Sequence, residues 1–308
     1  MPAVSSAMIA VGIAALLAGL ILVRTRSIAA TGLGKLLVLG PVFEAVALAM
    51  FAVEHFLAAR DLAPIVPRWL PGPLFWTYFF GVALLATAIS FLIFHCVRWS
   101  AFLLALFFLL IVITVDLPGV PKGLHERLFW TLTVREVSFA CGALILAASQ
   151  FPGASSLTHL ARGGIASGRP LIASSPVRTL ATIARAALAA IFVFYAIEHF
   201  LFPHNVPGVP LEKMTPSWMP APVLISYFTG LVLLATAPGL LIPRTRRLAA
   251  ALAGSVLLLL TVFFYIPILL TELHSPLALE GVNYVGDTLL FAATALLAGF
   301  DPVQSKRP

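Results

Sequence analysis

Two short stretches carry residue types able to exchange protons or hold a polar ligand: Glu54-His55 inside AVEHFL (52–57) and Glu198-His199 inside AIEHFL (196–201). A carboxylate beside an imidazole supplies acceptors, a donor and a group suited to proton exchange. Further along stand Asp116, Arg135-Glu136 and Asp287, with Tyr265 at the position matching Asp116. All of them fall within or at the edge of long apolar runs. An ionisable group in hydrocarbon is costly unless it is paired or faces a water-filled cavity. Glu54, His55, Asp116, Arg135 and Glu136 are therefore the candidate lining of a polar pocket in the first half. Glu198, His199, Tyr265 and Asp287 are its candidates in the second. Glu44 has Leu188 at its matching position, so any role there is particular to the first half.

At a helical rise of about 1.5 Å per residue, Glu54 lies roughly 9 Å below Arg60 at the end of its run, and Glu136 lies near mid-membrane. Neighbouring residues on a helix point about 100° apart, so Glu54 and His55 face different targets: one can pair within its bundle while the other meets the neighbouring half. The competing structural reading makes the EHFL residues interfacial groups that snorkel or bond to loop backbone. Likewise a structural ion pair of Arg135-Glu136 with Glu54 or Asp116 would meet the cost of burial. A haem held by His55 and His199 is disfavoured by their placement near the boundary and by the lack of further paired histidines in mid-membrane. Cys96 and Cys141 are too few and too far apart for a disulfide scaffold or a cysteine metal site.

The elements that must position these groups are apolar helices. The 308 residues are 61% hydrophobic and 10% charged, with mean hydropathy +1.05, which excludes an ordinary soluble fold. Nine runs of membrane-crossing length are expected as helices, at about 7–23, 36–58, 74–94, 99–117, 127–148, 179–201, 222–242, 248–270 and 283–300. They lack the alternation of barrel strands. The net charge of +7 reports orientation rather than nucleic-acid binding: 13 of the 19 Lys and Arg fall on one side if the N-terminus starts outside. Arg24 and Arg26 follow the first run rather than precede it, so it reads as a retained helix and not a leader. This gives a multi-pass protein of the cell (inner) membrane, N-terminus outside and C-terminus cytoplasmic. Trp69, Trp76, Trp130 and Trp218 mark the outer boundary. Trp69, Tyr78, Trp218 and Tyr227 are the expected pocket roof.

The two halves repeat. WLPGPLFWTYFFGVALLATA from Trp69 returns as WMPAPVLISYFTGLVLLATA from Trp218, with 11 of 20 positions identical. Arg98 matches Arg247 and Pro118 matches Pro267, and Arg135-Glu136 aligns with Gly286-Asp287. Residues 1–27 read as an extra helix, 28–150 and 178–301 as two four-helix units, 151–177 as a cytoplasmic Gly/Ser/Pro-rich linker and 302–308 as a cytoplasmic tail. Four spans per copy make the repeats parallel.

Both units resemble the DoxX-like membrane proteins. The features that carry the resemblance are the EHFL pairs, the Pro-rich loops at Trp69-Leu70-Pro71 and Trp218-Met219-Pro220, Gly81 and Gly230, and the acids Glu136 and Asp287. It implies a four-helix bundle in a bacterial-type cell membrane, in a family some of whose members act with quinone-linked sulfur oxidation. The tandem duplication and the extra helix depart from the family's single unit. No family catalytic motif matches closely enough to carry over an activity.

Three functions compete. The first is a redox-associated protein whose outer pockets bind a quinone headgroup or another small ligand. The second is a non-catalytic membrane partner or assembly factor of an envelope complex, its polar groups serving as internal glue. The third, a small-solute transporter, is weakened because Gly40 and Pro41 have no matching helix break: Ala184 and Arg185 stand there.

Overall fold

The computed structural model describes residues 2–150, 175–209 and 211–301. Among them, eight helices are long and apolar enough to cross a membrane. Helices are what such a chain must form, because hydrocarbon offers no partner for an open backbone N–H or C=O. The long helices are α1 (Pro2–Ala29), α2 (Gly40–Leu57), α3 (Pro73–Ile93), α4 (Val97–Ile111), α5 (Arg127–Ser149), α6 (Ser175–Leu201), α7 (Pro222–Leu241), α8 (Arg246–Leu260) and α9 (Ala278–Leu297).

Local sequence explains several boundaries. Pro73 and Pro222 open α3 and α7, where the missing N–H costs nothing, and each follows a residue in the left-handed region, Gly72 (φ 69) and Ala221 (φ 46). Beyond α4 and α8 the chain continues through wide π turns, Val112–Asp116 and Thr261–Tyr265. Each turn ends one residue before an X-Pro pair, Leu117-Pro118 and Ile266-Pro267. A proline ring crowds the carbonyl four residues back, and the helix relieves this by widening there.

In chain order, α2 packs along α3, α4 along α5, α6 along α7 and α8 along α9. Between the halves, α2 packs along α9 and α5 along α6, while α5 and α9 also touch. The two halves thus share one core instead of standing as two separate bundles. Burial follows from this arrangement: 72% of the apolar window of α2 and 67% of that of α5 are buried, against 28% for α1 and 22% for the span containing α4.

The last expected run, 283–300, is displaced toward the N-terminus as α9, and it is the one long helix outside the eight. Its neighbours explain its polarity. Fifteen of its 20 residues are buried against protein, Thr288 and Thr294 among them, while half-buried Asn283 and Asp287 line a hollow between the helices. Arg185, buried near the start of α6, donates to the carbonyls of Ala298 and Phe300 just beyond α9 and satisfies groups the helix end leaves open. Most of the expected linker (151–174) and the tail (302–308), with Arg162, Arg169, Lys306 and Arg307, lie outside the described residues.

Candidate functional site

The centre of the site is a guanidinium held between two carboxylates. Arg135 on α5 donates Nη1–H to Asp287 Oδ2 on α9 at 2.6 Å and Nη2–H to Glu136 Oε1 at 2.8 Å. Its Nε is buried with no hydrogen-bond partner. Glu136 and Asp287 align in the comparison of the two halves, and one arginine bridges them. The arginine's own match is Gly286, where an added Cβ would stand 2.9 Å from Phe51 Cζ.

Arg135, Glu136 and Asp287 line a hollow of about 310 Å³, at the small end of ligand-pocket sizes. The rings of Phe80, Phe107, Phe108 and Phe139 form its walls, and Phe80 and Phe107 meet edge to face with centroids 4.9 Å apart. Thr114 and Val115 of the first π turn border it, so the Pro118 kink shapes the cavity. His55 faces the same space. Its Nδ1 bonds the carbonyl of Phe51 at 2.8 Å; a carbonyl only accepts, so Nδ1 carries the hydrogen and Nε2 is left as an acceptor. Glu54, one residue earlier, turns to α9 and accepts from Asn283 Nδ2 at 2.8 Å. It lines a second hollow of about 620 Å³ with Glu280, Asn283 and Tyr284. Both hollows share Phe51, Leu62, Arg135 and Asp287.

The second half is closed. His199 is fully buried; its Nδ1–H reaches the Tyr195 carbonyl at 2.6 Å and its Nε2 accepts the Gly208 N–H at 2.8 Å. Tyr265 donates its hydroxyl to the Pro207 carbonyl at 2.5 Å. That carbonyl and the Gly208 N–H belong to one peptide group, so His199 and Tyr265 clasp a single amide. The chain passes there with Gly208 at φ 103, a conformation open to glycine. Val206 and Val209 of the same loop are buried.

Several expectations need correction. Glu198, His199, Tyr265 and Asp287 do not gather in one pocket. Glu198 accepts from Thr131 Oγ1 at 3.0 Å and pairs with Arg127 at 3.4 Å, both on α5, while Asp287 joins the first half's cluster. The cause is the packing of α5 on α6 and of α2 on α9. Glu54 belongs to the second hollow rather than the first. Asp116 does not line the first hollow, although it directly follows Val115; its Oδ2 is buried without a hydrogen-bond partner. Arg135 finds Asp287 and Glu136 instead of Glu54 or Asp116. The expected roof fails too, since Trp69, Tyr78, Trp218 and Tyr227 all point outward, Trp69 at 66% exposure. Leu62, Val66, Pro67 and Leu70 cover the hollow instead. His199 Nε2 is committed to Gly208, which leaves it no free lone pair for a haem iron. Among the described residues no group of three or more His, Cys, Asp or Glu could hold a metal ion.

One signal for the closed half was present in the sequence. The offset between halves is 144 at AVEHFL/AIEHFL and 149 at Trp69/Trp218, so the loop after α6 holds five more residues than the loop after α2. Those extra residues let Pro207-Gly208 reach the interior.

Fold and site together define a class: an all-helical protein built like a multi-pass membrane protein, with a charged cluster sheltered where its halves meet. A family model described as "Domain of unknown function (DUF8561)" matches residues 44–119 and 188–276, together more than half of the chain, and the chain belongs to that family. The matched segments hold Glu54, His55, Asp116, Glu198, His199 and Tyr265, while Arg135, Glu136 and Asp287 lie outside them. No curated protein and no solved structure matches the chain.

Proposed function

We propose that this chain is a tandem-duplicated, DoxX-like protein of the inner membrane that binds a quinone-class headgroup in the hollow of its first half, in association with a redox partner. The observation that carries the reading is the hollow itself: an aromatic chamber with a guanidinium, two carboxylates and an imidazole at its edge. Flat rings suit the Phe walls. The polar edge offers donors and acceptors to ring oxygens, and Leu110, which lines the hollow, is 47% exposed on the face turned to lipid.

The duplication is supported by the matched π turns, by the two family-model segments starting 144 residues apart, and by the close approach of Gly81 to His55 and of Gly230 to His199. Nine crossings follow if α9 is counted as a span sheltered by its neighbours. The basic ends of α1, α6 and α8 fall on one side, which the positive-inside rule assigns to the cytoplasm, and the ninth crossing returns the chain to that side. The N-terminus and the hollow then face outward.

Purification in mild detergent followed by lipid extraction tests the reading. A co-purifying quinone, depleted in Glu136→Gln, is the expected result. Absence of quinone from the wild-type extract, together with no effect of Glu136→Gln on quinone-dependent turnover, would remove it.

A further inference from the structure

The two halves present the same clasp, one closed on the protein's own backbone and one left without an occupant. On each side a histidine ends the EHFL helix and bonds back to the carbonyl four residues earlier, at 2.8 Å for His55 and 2.6 Å for His199. Each packs its Cβ against a glycine of the next helix: a Cβ added at Gly81 would stand 3.0 Å from His55 Cβ, and one at Gly230 2.9 Å from His199 Cβ. Each faces a π turn whose last residue is polar, Asp116 in one case and Tyr265 in the other. In the second half the space between histidine and π turn is filled by the Pro207–Gly208 amide. Its N–H goes to His199 Nε2, and its carbonyl accepts from Tyr265.

The first half changes one partner and leaves the histidine's outer nitrogen facing an open hollow. Tyr265 is a donor there, so it takes the carbonyl end of the amide. Asp116 stands in its place with an unpartnered, buried Oδ2, and an ionised carboxylate only accepts. Among the described residues no protein group is bonded to His55 Nε2. Asp116 does not line the hollow, which therefore offers one open acceptor, His55 Nε2, beside one unpartnered donor, Arg135 Nε. A group with oxygens but no hydrogens, such as a quinone carbonyl pair, satisfies the donor and leaves that acceptor open. A ring bearing hydroxyls satisfies both.

We propose that the hollow selects a hydroxylated aromatic headgroup, a hydroquinone or related phenol, over the corresponding quinone, with His55 accepting a hydroxyl hydrogen. This rests on the reading that the hollow binds a quinone-class ring, and adds which member of the pair it holds. A buried polar group left unpaired discriminates strongly against the analogue lacking the bond.

The test uses the full chain in nanodiscs under anaerobic conditions, titrated calorimetrically with a short-chain benzoquinone and, separately, with its hydroquinone. The expected result is that the hydroquinone binds at least about tenfold more tightly, equivalent to ~1.4 kcal/mol. His55→Phe should reduce the preference to about twofold or less while still binding the quinone; His55→Gln, which keeps an acceptor at that position, should retain part of it and covers the case of a misfolded His55→Phe. Equal binding of the two probes, or tighter binding of the quinone, overturns the selectivity and leaves the quinone-class site standing. Binding of neither probe overturns the site and the selectivity together.

Discussion

Replacing Arg135 by Met removes the one cation between Glu136 and Asp287 while keeping most of the side-chain volume. The two acids are left with side chains 13% and 17% exposed, and the 2.8 Å and 2.6 Å contacts that compensated them are gone. Removing one partner of a buried ion pair costs roughly 3–5 kcal/mol, because a charge remains without compensation. Two carboxylates then share the site, but residual exposure screens part of their repulsion, so a loss of about 3 kcal/mol is expected. Reversible unfolding in mixed dodecyl sulfate and mild-detergent micelles, followed by helical circular dichroism, measures it. The combined variant Arg135→Met, Glu136→Gln, Asp287→Asn should recover about half of that loss or more, since it leaves no unpaired charge. A loss below about 1 kcal/mol for Arg135→Met, the range of exposed pairs, would refute the claim that the cluster is sheltered and bridges the halves.

Other consequences follow from the same geometry. Gly81→Ala places a Cβ 2.9 Å from Phe56 Cε1 and 3.0 Å from His55 Cβ, and should cost about 1–3 kcal/mol in the same unfolding assay. Tyr265→Phe removes the hydroxyl that holds the Pro207 carbonyl and should cost about 1 kcal/mol, with faster hydrogen exchange at Gly208 as the local readout. In a chain carrying Cys96→Gly and Cys141→Ala, a membrane-impermeant thiol reagent should label Trp69→Cys in intact cells and Arg244→Cys only after permeabilisation. The reverse pattern would turn the hollow to the cytoplasm.

The helices themselves were legible because each apolar run is bounded by Pro, Gly or basic residues that act at helix ends. Pro73 and Pro222 open helices, and Arg98 and Arg246 lie at the start of others. The run at 283–300 was misplaced by several residues because α9 is surrounded by protein: its boundary is set by packing against α2, α5 and α8, not by hydropathy. The site was legible as a set of residues and not as an arrangement. Arg135, Glu136 and Asp287 were all recognisable as costly charges in apolar runs, yet the partner of Arg135 sits 152 residues away. Only the side-by-side packing of α5 and α9 reveals it. The outward turn of Trp69 and Trp218 follows from the preference of indole for an interface, which competes with any role as a lid. The closure of the second half was written in the change of offset from 144 to 149, but which atoms the longer loop would satisfy depends on the clasp of His199 and Tyr265.

The most direct test of the central claim is where a bound quinone-class ring lies. A photoreactive benzoquinone, reduced to its hydroquinone and irradiated with the full chain in nanodiscs, followed by peptide mass spectrometry, should label the stretch around Phe107–Val115 and the EHFL segment of the first half. Competition by unlabelled hydroquinone should abolish that labelling, and His55→Phe should weaken it. Labels confined to the lipid-facing groove around Phe228 and Phe263, unaffected by the competitor, would contradict the account.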